Sequence, residues 1–357
     1  MSKLALWLLL ALATAAASNP ADTGGPLRLN NEFPFAAIFM STPPLDARIP
    51  SRRRLDVSLT VANSYAVPGR TISAPAGHAW HTSPTPSTID LNSLATSAQA
   101  NPNGTYYVAD VETTRLNLLY TQPVGPRGLF EIELPVKMHS SGFLDPIITG
   151  WHSLFGFDPA DREHSPENVE QVFYSHGGDT TTFTGQRGPG LGDLTTRAMY
   201  QVAPVAHGWP ALSVSAAVKW PTGCAGNLMG SGGVDVGMAA HLTHEAGFAT
   251  FYGTAGLNHH SSWKGMESVV VRDSVDLHGG LEIALTRHWS TLAQLSLFGS
   301  PIVDTDPKTI GSAASCYALG ARYNAGACQL EAGWIENIVR NNNTHDFGLY
   351  AKARLWL

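Results

Sequence analysis

The chain has 357 residues, 43% of them hydrophobic and only 14% charged, with a formal net charge of −6 at pH 7. Soluble domains carry about 25% charged residues, and an acidic balance argues against a nucleic-acid partner, whose binding surface is basic. No apolar run reaches the roughly eighteen residues of a membrane-crossing helix, and 3 cysteines are too few for a disulfide framework.

The amino terminus reads as a secretory signal. Lys3 gives the positive end, Leu4 to Ala13 the apolar core, and Ala15, Ala16 and Ala17 a small-residue cleavage site. This makes 1–17 a signal peptide and 18–357 a single barrel domain. No cysteine follows the cleavage site, so lipidation there is not expected. Residues 19–33 are rich in Pro, Gly and Asn and read as a periplasmic lead-in.

Strands are expected near 34–42, 54–66, 112–122, 128–139, 169–183, 191–204, 210–220, 232–244, 247–258, 275–287, 290–300, 312–324, 327–339 and 346–357. Their signature is a period of two. Leu55, Val57, Leu59 and Val61 alternate with Asp56, Ser58, Thr60 and Ala62. Phe130, Ile132, Leu134 and Val136 alternate with Glu131, Glu133, Pro135 and Lys137. Leu212, Val214, Ala216 and Val218 alternate with Ser213, Ser215, Ala217 and Lys219. Phe347, Leu349, Ala351, Ala353, Leu355 and Leu357 alternate with Gly348, Tyr350, Lys352, Arg354 and Trp356. One face is apolar over roughly ten residues and the other carries charge, as in a tilted strand between lipid and water.

Loop lengths support the same reading. Short turns at Ala206-His207-Gly208, Glu245-Ala246-Gly247, Arg287-His288-Trp289 and Asn324-Ala325-Gly326 alternate with long loops at 221–231, 259–274, 301–311 and 340–345. Outer-membrane barrels have short periplasmic turns and long extracellular loops. The expected fold is all-β, a transmembrane antiparallel up-and-down β-barrel of about twelve to fourteen strands.

Two segments break the meander. Residues 67–108 form a long irregular insertion. Residues 142–156 carry apolar residues at 143, 144, 147, 148, 151, 154 and 155, which suits a short amphipathic helix. Asp145 is the expected cap and Pro146 the first helical position. The helix is expected to close a barrel mouth, with a place at the membrane surface as the alternative.

Several stretches resemble the bacterial outer-membrane family known as domain of unknown function 3187. They are Gly25-Pro26-Leu27-Arg28-Leu29-Asn30-Asn31-Glu32-Phe33-Pro34, Asp110-Val111-Glu112-Thr113-Thr114-Arg115, and Gly142 to Ile148 continuing to His152, Phe155-Gly156 and Arg162. Gly190-Leu191-Gly192-Asp193-Leu194 and Lys219-Trp220-Pro221-Thr222-Gly223 are similar to a wider group of outer-membrane barrels, some thought to pass aromatic or lipid-like molecules. The resemblance implies a Gram-negative outer-membrane location, but no reaction and no substrate. Such chains commonly end in an aromatic read by the outer-membrane assembly machinery, whereas this one ends in Leu357 beside Trp356.

Alternation points Asp56, Arg115, Glu131, Glu133, Lys137, Arg197, Lys219, Asp235, His241, Glu282, Arg322, Glu331, Lys352 and Arg354 inward. Apart from His241 they are the channel-lining candidates. The near balance of signs leaves two readings open, a salt-bridge lattice bracing the wall or a solvated lumen that selects solutes. Trp220, Trp289, Trp334, Tyr200, Tyr252 and Tyr323 are expected in interfacial girdles, while Tyr350 and Trp356 alternate inward.

The 14 histidines suggest no metal site. His241 and His244 face opposite sides of a strand, and His259-His260 sit in a loop without cysteine or carboxylate at ligand spacing. His259, His260, Ser261 and Ser262 are too close in sequence for an acyl-hydrolase site and lack a Gly-framed serine. Gly188-Pro189-Gly190-Leu191-Gly192 lacks the Lys-Ser/Thr ending of a phosphate loop. Cys316 and Cys328 flank a hairpin out of register, so no bridge is expected.

No enzyme activity, cofactor or metal is therefore expected. The expected function is a passive channel or transporter for small molecules, apolar ones included, with a closed envelope-maintenance barrel as the alternative. The expected partners are outer-membrane lipids, the assembly machinery and a small solute, with no nucleic acid.

Overall fold

The computed structural model describes residues 24–66, 88–156, 165–184, 188–206, 208–303, 310–326, 328–338 and 343–357. Residues 1–17, where a signal peptide is expected, Arg162 and residues 67–87 of the insertion lie outside the described residues. The strands are β1 (Arg54–Ala66), β2 (Tyr106–Val124), β3 (Gly128–Ser140), β4 (Gln171–His176), β5 (Asp179–Thr184), β6 (Gly190–Leu191), β7 (Leu194–Ala203) and β8 (Ala211–Trp220). They continue with β9 (Asp235–Ala246), β10 (Ala249–His259), β11 (Ser274–Ala284), β12 (Trp289–Phe298), β13 (Ala314–Asn324), β14 (Cys328–Asn337) and β15 (Phe347–Trp356). Among the described residues, two helices, α1 (Leu91–Ala100) and α2 (Asp145–Phe155), complete the set of longer elements.

Twelve antiparallel strands close the barrel, β1, β2, β3 and β7 to β15. Closure pairs β1 with β15, from Arg54 opposite Trp356 to Asn63 opposite Phe347. Two of the expected strands are not in the wall. Residues 34–42, apolar on both parities, form turns inside the lumen instead. Segment 169–183 is split by Gly177 and Gly178, whose φ angles of 63° and 92° turn the chain into the β4–β5 hairpin. That hairpin pairs with the start of β2 and projects beyond the barrel.

Burial follows the alternation. Every second residue of β12 is exposed, and Val214 and Leu295 stand 48% and 60% exposed on the outer wall. A closed wall leaves no unpaired edge in lipid, which is why only helices and barrels span a bilayer. With its apolar outer wall, the molecule is an outer-membrane barrel. Tyr200, Trp209 and Trp289 are exposed near the short-turn end, with Tyr323 packed 4.8 Å from Trp289. Trp220 is exposed at the other end. Tyr252 departs from the expected girdle: its hydroxyl points inward and donates to Glu282 at 2.7 Å. Cys316 lies opposite Asn337 and Cys328 opposite Leu355.

Both helices lie on the outside of the wall at the long-loop end. Leu144 and Ile148 at the start of α2 bury against Phe347, with Val61 and Trp334 alongside. The Trp151 ring sits 6.0 Å from Trp334 and 6.4 Å from Phe347. Val61, Trp334 and Phe347 all have outward parity, so α2 does not close the mouth. Leu144, not Asp145, is the N-cap. The Glu112 carboxylate accepts the N–H of Phe143 at 2.7 Å and that of Leu144, and serves as the cap. Asp145 is instead occupied by the Asn63 amide at 3.0 Å and the Asn168 N–H at 2.7 Å. The part of the insertion read as irregular holds α1, capped by Asp90 and packed through Leu94 and Ala98 on Tyr65, Tyr106, Val108 and Phe173.

Candidate functional site

The lumen is filled by the chain's own residues 24–53. Only its part up to residue 33 belongs to the expected periplasmic lead-in, and 34–42 to an expected wall strand. It enters at the short-turn end, where the Gly24 and Gly25 carbonyls accept Arg354 at 3.3 Å and Arg322 at 2.5 Å. Leu27 and Leu29 bury against Leu292, Phe298, Ile335 and Tyr350. Arg28 reaches Glu131 at 3.1 Å and Glu133 at 2.7 Å, and Glu32 takes Arg115 at 3.0 Å.

Near the long-loop mouth the chain turns back, with Ala37 N–H donating to Phe33 O at 2.7 Å. Phe33, Phe35 and Phe39 join Tyr107, Tyr174 and Trp263 in an apolar cluster that seals this end. On the way down, Met40 N–H donates to Asp235 and Thr42 N–H to Asp276, each at 2.8 Å. Ala47 N–H donates to Thr243 at 2.9 Å, and its carbonyl accepts Ser213 at 2.5 Å and Gln201 at 3.0 Å. Arg48 pairs with Asp46 and Glu245. Arg53 O then accepts Leu357 N–H at 2.9 Å, and β1 begins. A segment with no ladder of its own must satisfy its backbone elsewhere. Here inward side chains of the wall supply the partners.

All of the inward candidates are buried, His241 among them. Some pair across the wall. Asp56 takes Arg354 through two contacts of 2.8 Å. Glu331 takes Arg322 at 3.2 Å and also Lys352, and Glu282 takes Arg322 at 2.5 Å. Glu131 takes Arg197 at 2.8 Å, and Lys219 lies 2.6 Å from Asp193 and 3.3 Å from Asp235. Others hold the inner segment: Arg115 on Glu32, Glu131 and Glu133 on Arg28, and Lys137 on the Ala37 carbonyl at 2.7 Å. Sequence reasoning missed Arg28, Glu32, Asp46, Arg48, Asp193 and Asp276. The signal that could have found the first four is the apolar run Phe33 to Phe39, out of place in a solvated leader.

His259 ends β10 and bonds Asp273, the residue before β11, at 2.8 Å, so its carboxylate comes from the far end of the loop rather than from local spacing. His260 lies 3.4 Å from Asp235 through Nδ1 and 2.8 Å from Ser274 through Nε2. That is the order of an acid–base–nucleophile relay. Two observations make it a brace. Ser274 and His260 are buried under the inner segment, and the same pairing recurs at His241–Ser215 and His278–Ser296, at 2.9 and 3.0 Å. His345, in the loop before β15, accepts the Glu32 N–H on Nδ1 at 3.3 Å, and burial pushes its imidazole down to about 4.

A cavity of about 60 Å³ remains between the turn of the inner segment and the wall of β3, β7 and β8, lined by Asn31, Ile38, Arg115, Lys137, Arg197 and Phe298 among others. It has room for a few waters.

A closed wall, an apolar outer belt and a charged, filled interior define an outer-membrane β-barrel protein. The chain belongs to the family described as protein of unknown function (DUF3187), whose model matches residues 79–353. No curated protein matches it. Among solved structures it is similar to the COG4313 outer membrane channel from Pseudomonas putida F1, with a TM-score of 0.51 and 12% identity over 87% of this chain and 97% of that one. A NanC porin has a TM-score of 0.41 at 8% identity, over 71% of this chain and 97% of that one. A Pseudomonas aeruginosa FadL homologue has a TM-score of 0.40 at 10% identity, over 94% and 99%. The first likeness supports the fold; the other two share too little to bear on the argument.

Proposed function

We propose that the protein is a passive channel or transporter for small molecules with an apolar part, closed at rest by residues 24–53. The observation that carries this is the filled lumen. The inner segment is held by side-chain hydrogen bonds and ion pairs rather than by a strand ladder, so it can leave without dismantling the wall. A cavity of about 60 Å³ passes no solute, so passage requires that movement. The aromatic cluster of Phe33, Phe35, Tyr174 and Trp263 at the mouth suits a solute with apolar surface. The Pseudomonas putida neighbour, described as a channel, shares the fold.

On this reading the thirteen charged candidates, Asp56, Arg115, Glu131, Glu133, Lys137, Arg197, Lys219, Asp235, Glu282, Arg322, Glu331, Lys352 and Arg354, line the path once the segment moves. Residues 1–17 are removed on export, the remainder forms one barrel domain, and lipids and the assembly machinery meet the outer wall and last strand.

The test joins the segment to the wall. Thr42 Oγ1 lies 2.8 Å from Asn258 Oδ1, so cysteines at both positions can be oxidised into a cross-link. In planar bilayers the oxidised Thr42→Cys/Asn258→Cys protein should be silent, and reductant should restore conductance steps. Equal conductance in both states would sink the gate.

A second reading, a closed envelope-maintenance barrel, is favoured by one observation: buried ion pairs at Arg28 and Arg115 tether the segment. It requires silence in the oxidised and reduced states alike.

A further inference from the structure

Helix α2 is held on the outer wall by four strands. The Glu112 carboxylate of β2 accepts the Phe143 N–H at 2.7 Å, and the Asn63 amide of β1 donates to Asp145 at 3.0 Å. Phe347 of β15 and Trp334 of β14 pack against Leu144, Ile148 and Trp151. His152 lies 3.6 Å from Glu336 of β14. The two titratable side chains of the helix, Asp145 and His152, therefore both face the wall. The other side is exposed and uncharged, with Pro146, Ile147, Thr149, Gly150, Ser153 and Leu154 upon it. Leu154 is 75% and Ile147 45% exposed, and Phe143, just before the helix, is 56% exposed. A helix that faces water carries charges on that side, and one without a polar face lies in a core or a membrane. A helix lying at the membrane surface also shows a charged face, which α2 lacks among the described residues.

We infer that the exposed side of α2 is immersed in the acyl chains of the bilayer leaflet on the long-loop side. The helix continues the lipid-facing belt without a break. It packs on Val61, which stands opposite Leu349 in the β1–β15 ladder, and Leu59 is the next residue on the same face. Leu349 and Leu59 are 38% and 42% exposed on the outer wall. At the short-turn end Leu55 stands opposite Leu355, which is 43% exposed. From Leu55 to Val61 the strand runs about 20 Å, or about 15 Å along the axis of a barrel whose strands tilt by roughly 40°. The apolar band of such a barrel is about 25 Å tall, so the wall under α2 still lies within it. A second copy of the chain is a poorer occupant. A helix of 11 residues offers a strip of about 16 by 10 Å, far short of the roughly 800 Å² per partner of a standard interface. The inference concerns what covers the outside of the wall, so it stands apart from whether the barrel conducts.

The test places a nitroxide at Leu154→Cys or at Ile147→Cys, with Cys224→Ser and Cys328→Ser removing the two native thiols that are not buried. Each full-length protein is reconstituted into phosphatidylcholine vesicles, and heat-modifiable migration confirms the barrel. Power-saturation spectroscopy compares collisions with oxygen, which concentrates among acyl chains, and with a water-soluble nickel chelate. Val214→Cys on the outer wall and Glu267→Cys in the 259–274 loop, both at exposed positions, are the lipid and water references. Oxygen should exceed nickel at positions 154 and 147, as at 214, and the order should reverse at 267. Nickel ahead of oxygen at either helix position puts that side in water and overturns the inference. So does low access of both reagents, or spin–spin broadening that fades on dilution with unlabelled protein, because either places protein over the helix. The two helix positions are read separately, so one decides the matter even if the other variant does not fold.

Discussion

Helix α2 and the 24–53 segment are the two large departures from the meander, and they occupy opposite sides of one wall. The helix has its apolar face on Val61, Trp334 and Phe347, outside. The segment has its backbone and charges on Asp235, Asp276, Glu131 and Arg115, inside. Both carry aromatic residues, so hydrophobicity does not sort them. What sorts them is whether the unladdered backbone can find donors and acceptors. The outer wall offers few, Glu112 and Asn63 at the long-loop end among them, so a helix, which satisfies its own backbone, suits that side. The inner wall offers many, so an irregular chain can fill it.

The largest expected break of this contrast is at Glu131, which accepts both Arg28 and Arg197. Glu131→Ala leaves two buried guanidinium groups short of a partner and should cost about 3–5 kcal/mol. Denaturant titration read by tryptophan fluorescence checks it. Replacing Arg28, Glu131, Glu133 and Arg197 together by leucine should recover most of the loss, and failure to do so would mean that the ion pairs are not the cause.

Next come charges on the lipid face. Val214→Arg and Leu349→Arg should each cost about 2–4 kcal/mol if near the bilayer midplane. On alternation alone Ser213→Arg should be milder. The structure reverses that, because Ser213 Oγ donates to Ala47 O at 2.5 Å and an arginine there must displace the inner segment. Unfolding midpoints of the three variants in one lipid decide it, and a near-neutral Ser213→Arg would mean that the segment is not seated there.

The inner segment also meets the wall loops at His345, where the folded imidazole titrates at about 4 rather than 6.5. Below pH 6.5 the unfolded chain takes up a proton that the folded one does not, so the folded state weakens as pH falls from 6.5 toward 4. The loss should approach about 2–3 kcal/mol at the bottom of that window. His345→Gln, which keeps an acceptor, should flatten this part of the pH profile; an unchanged slope would assign it to another group.

The smallest effect belongs to α2. Trp151→Ala removes ring contacts with Trp334 and Phe347 and should cost about 1 kcal/mol, since lipid competes well for apolar surface. Single-channel recordings of the same variant should match those of the parent, because α2 stands outside the lumen. A changed conductance would put the helix back at the mouth.

The barrel wall was legible because each strand meets lipid on one side and water or protein on the other, and that boundary writes itself as a period of two. Leu212 to Lys219 and Phe347 to Trp356 show it residue by residue. The inward charges were legible for the same reason. Their partners were not: Arg28 reaches Glu131 across 103 residues and Arg115 reaches Glu32 across 83, and nothing local marks such pairs. The β4–β5 hairpin read as one strand because Val172, Phe173, Tyr174, Thr180, Thr181, Thr182 and Phe183 are β-branched or aromatic strand formers, and only the paired glycines betray the turn.

The sequence by itself determined the alternation, the two unequal ends of the barrel and which charges face inward, because these follow from the local geometry of a strand. Only the tertiary structure decided that the amino-terminal segment fills the lumen while the helix lies outside, and which distant carboxylates Arg28 and Arg115 meet. Those outcomes depend on which distant groups meet when the wall closes, and a closed ring brings together residues from its two ends that no sequence period connects.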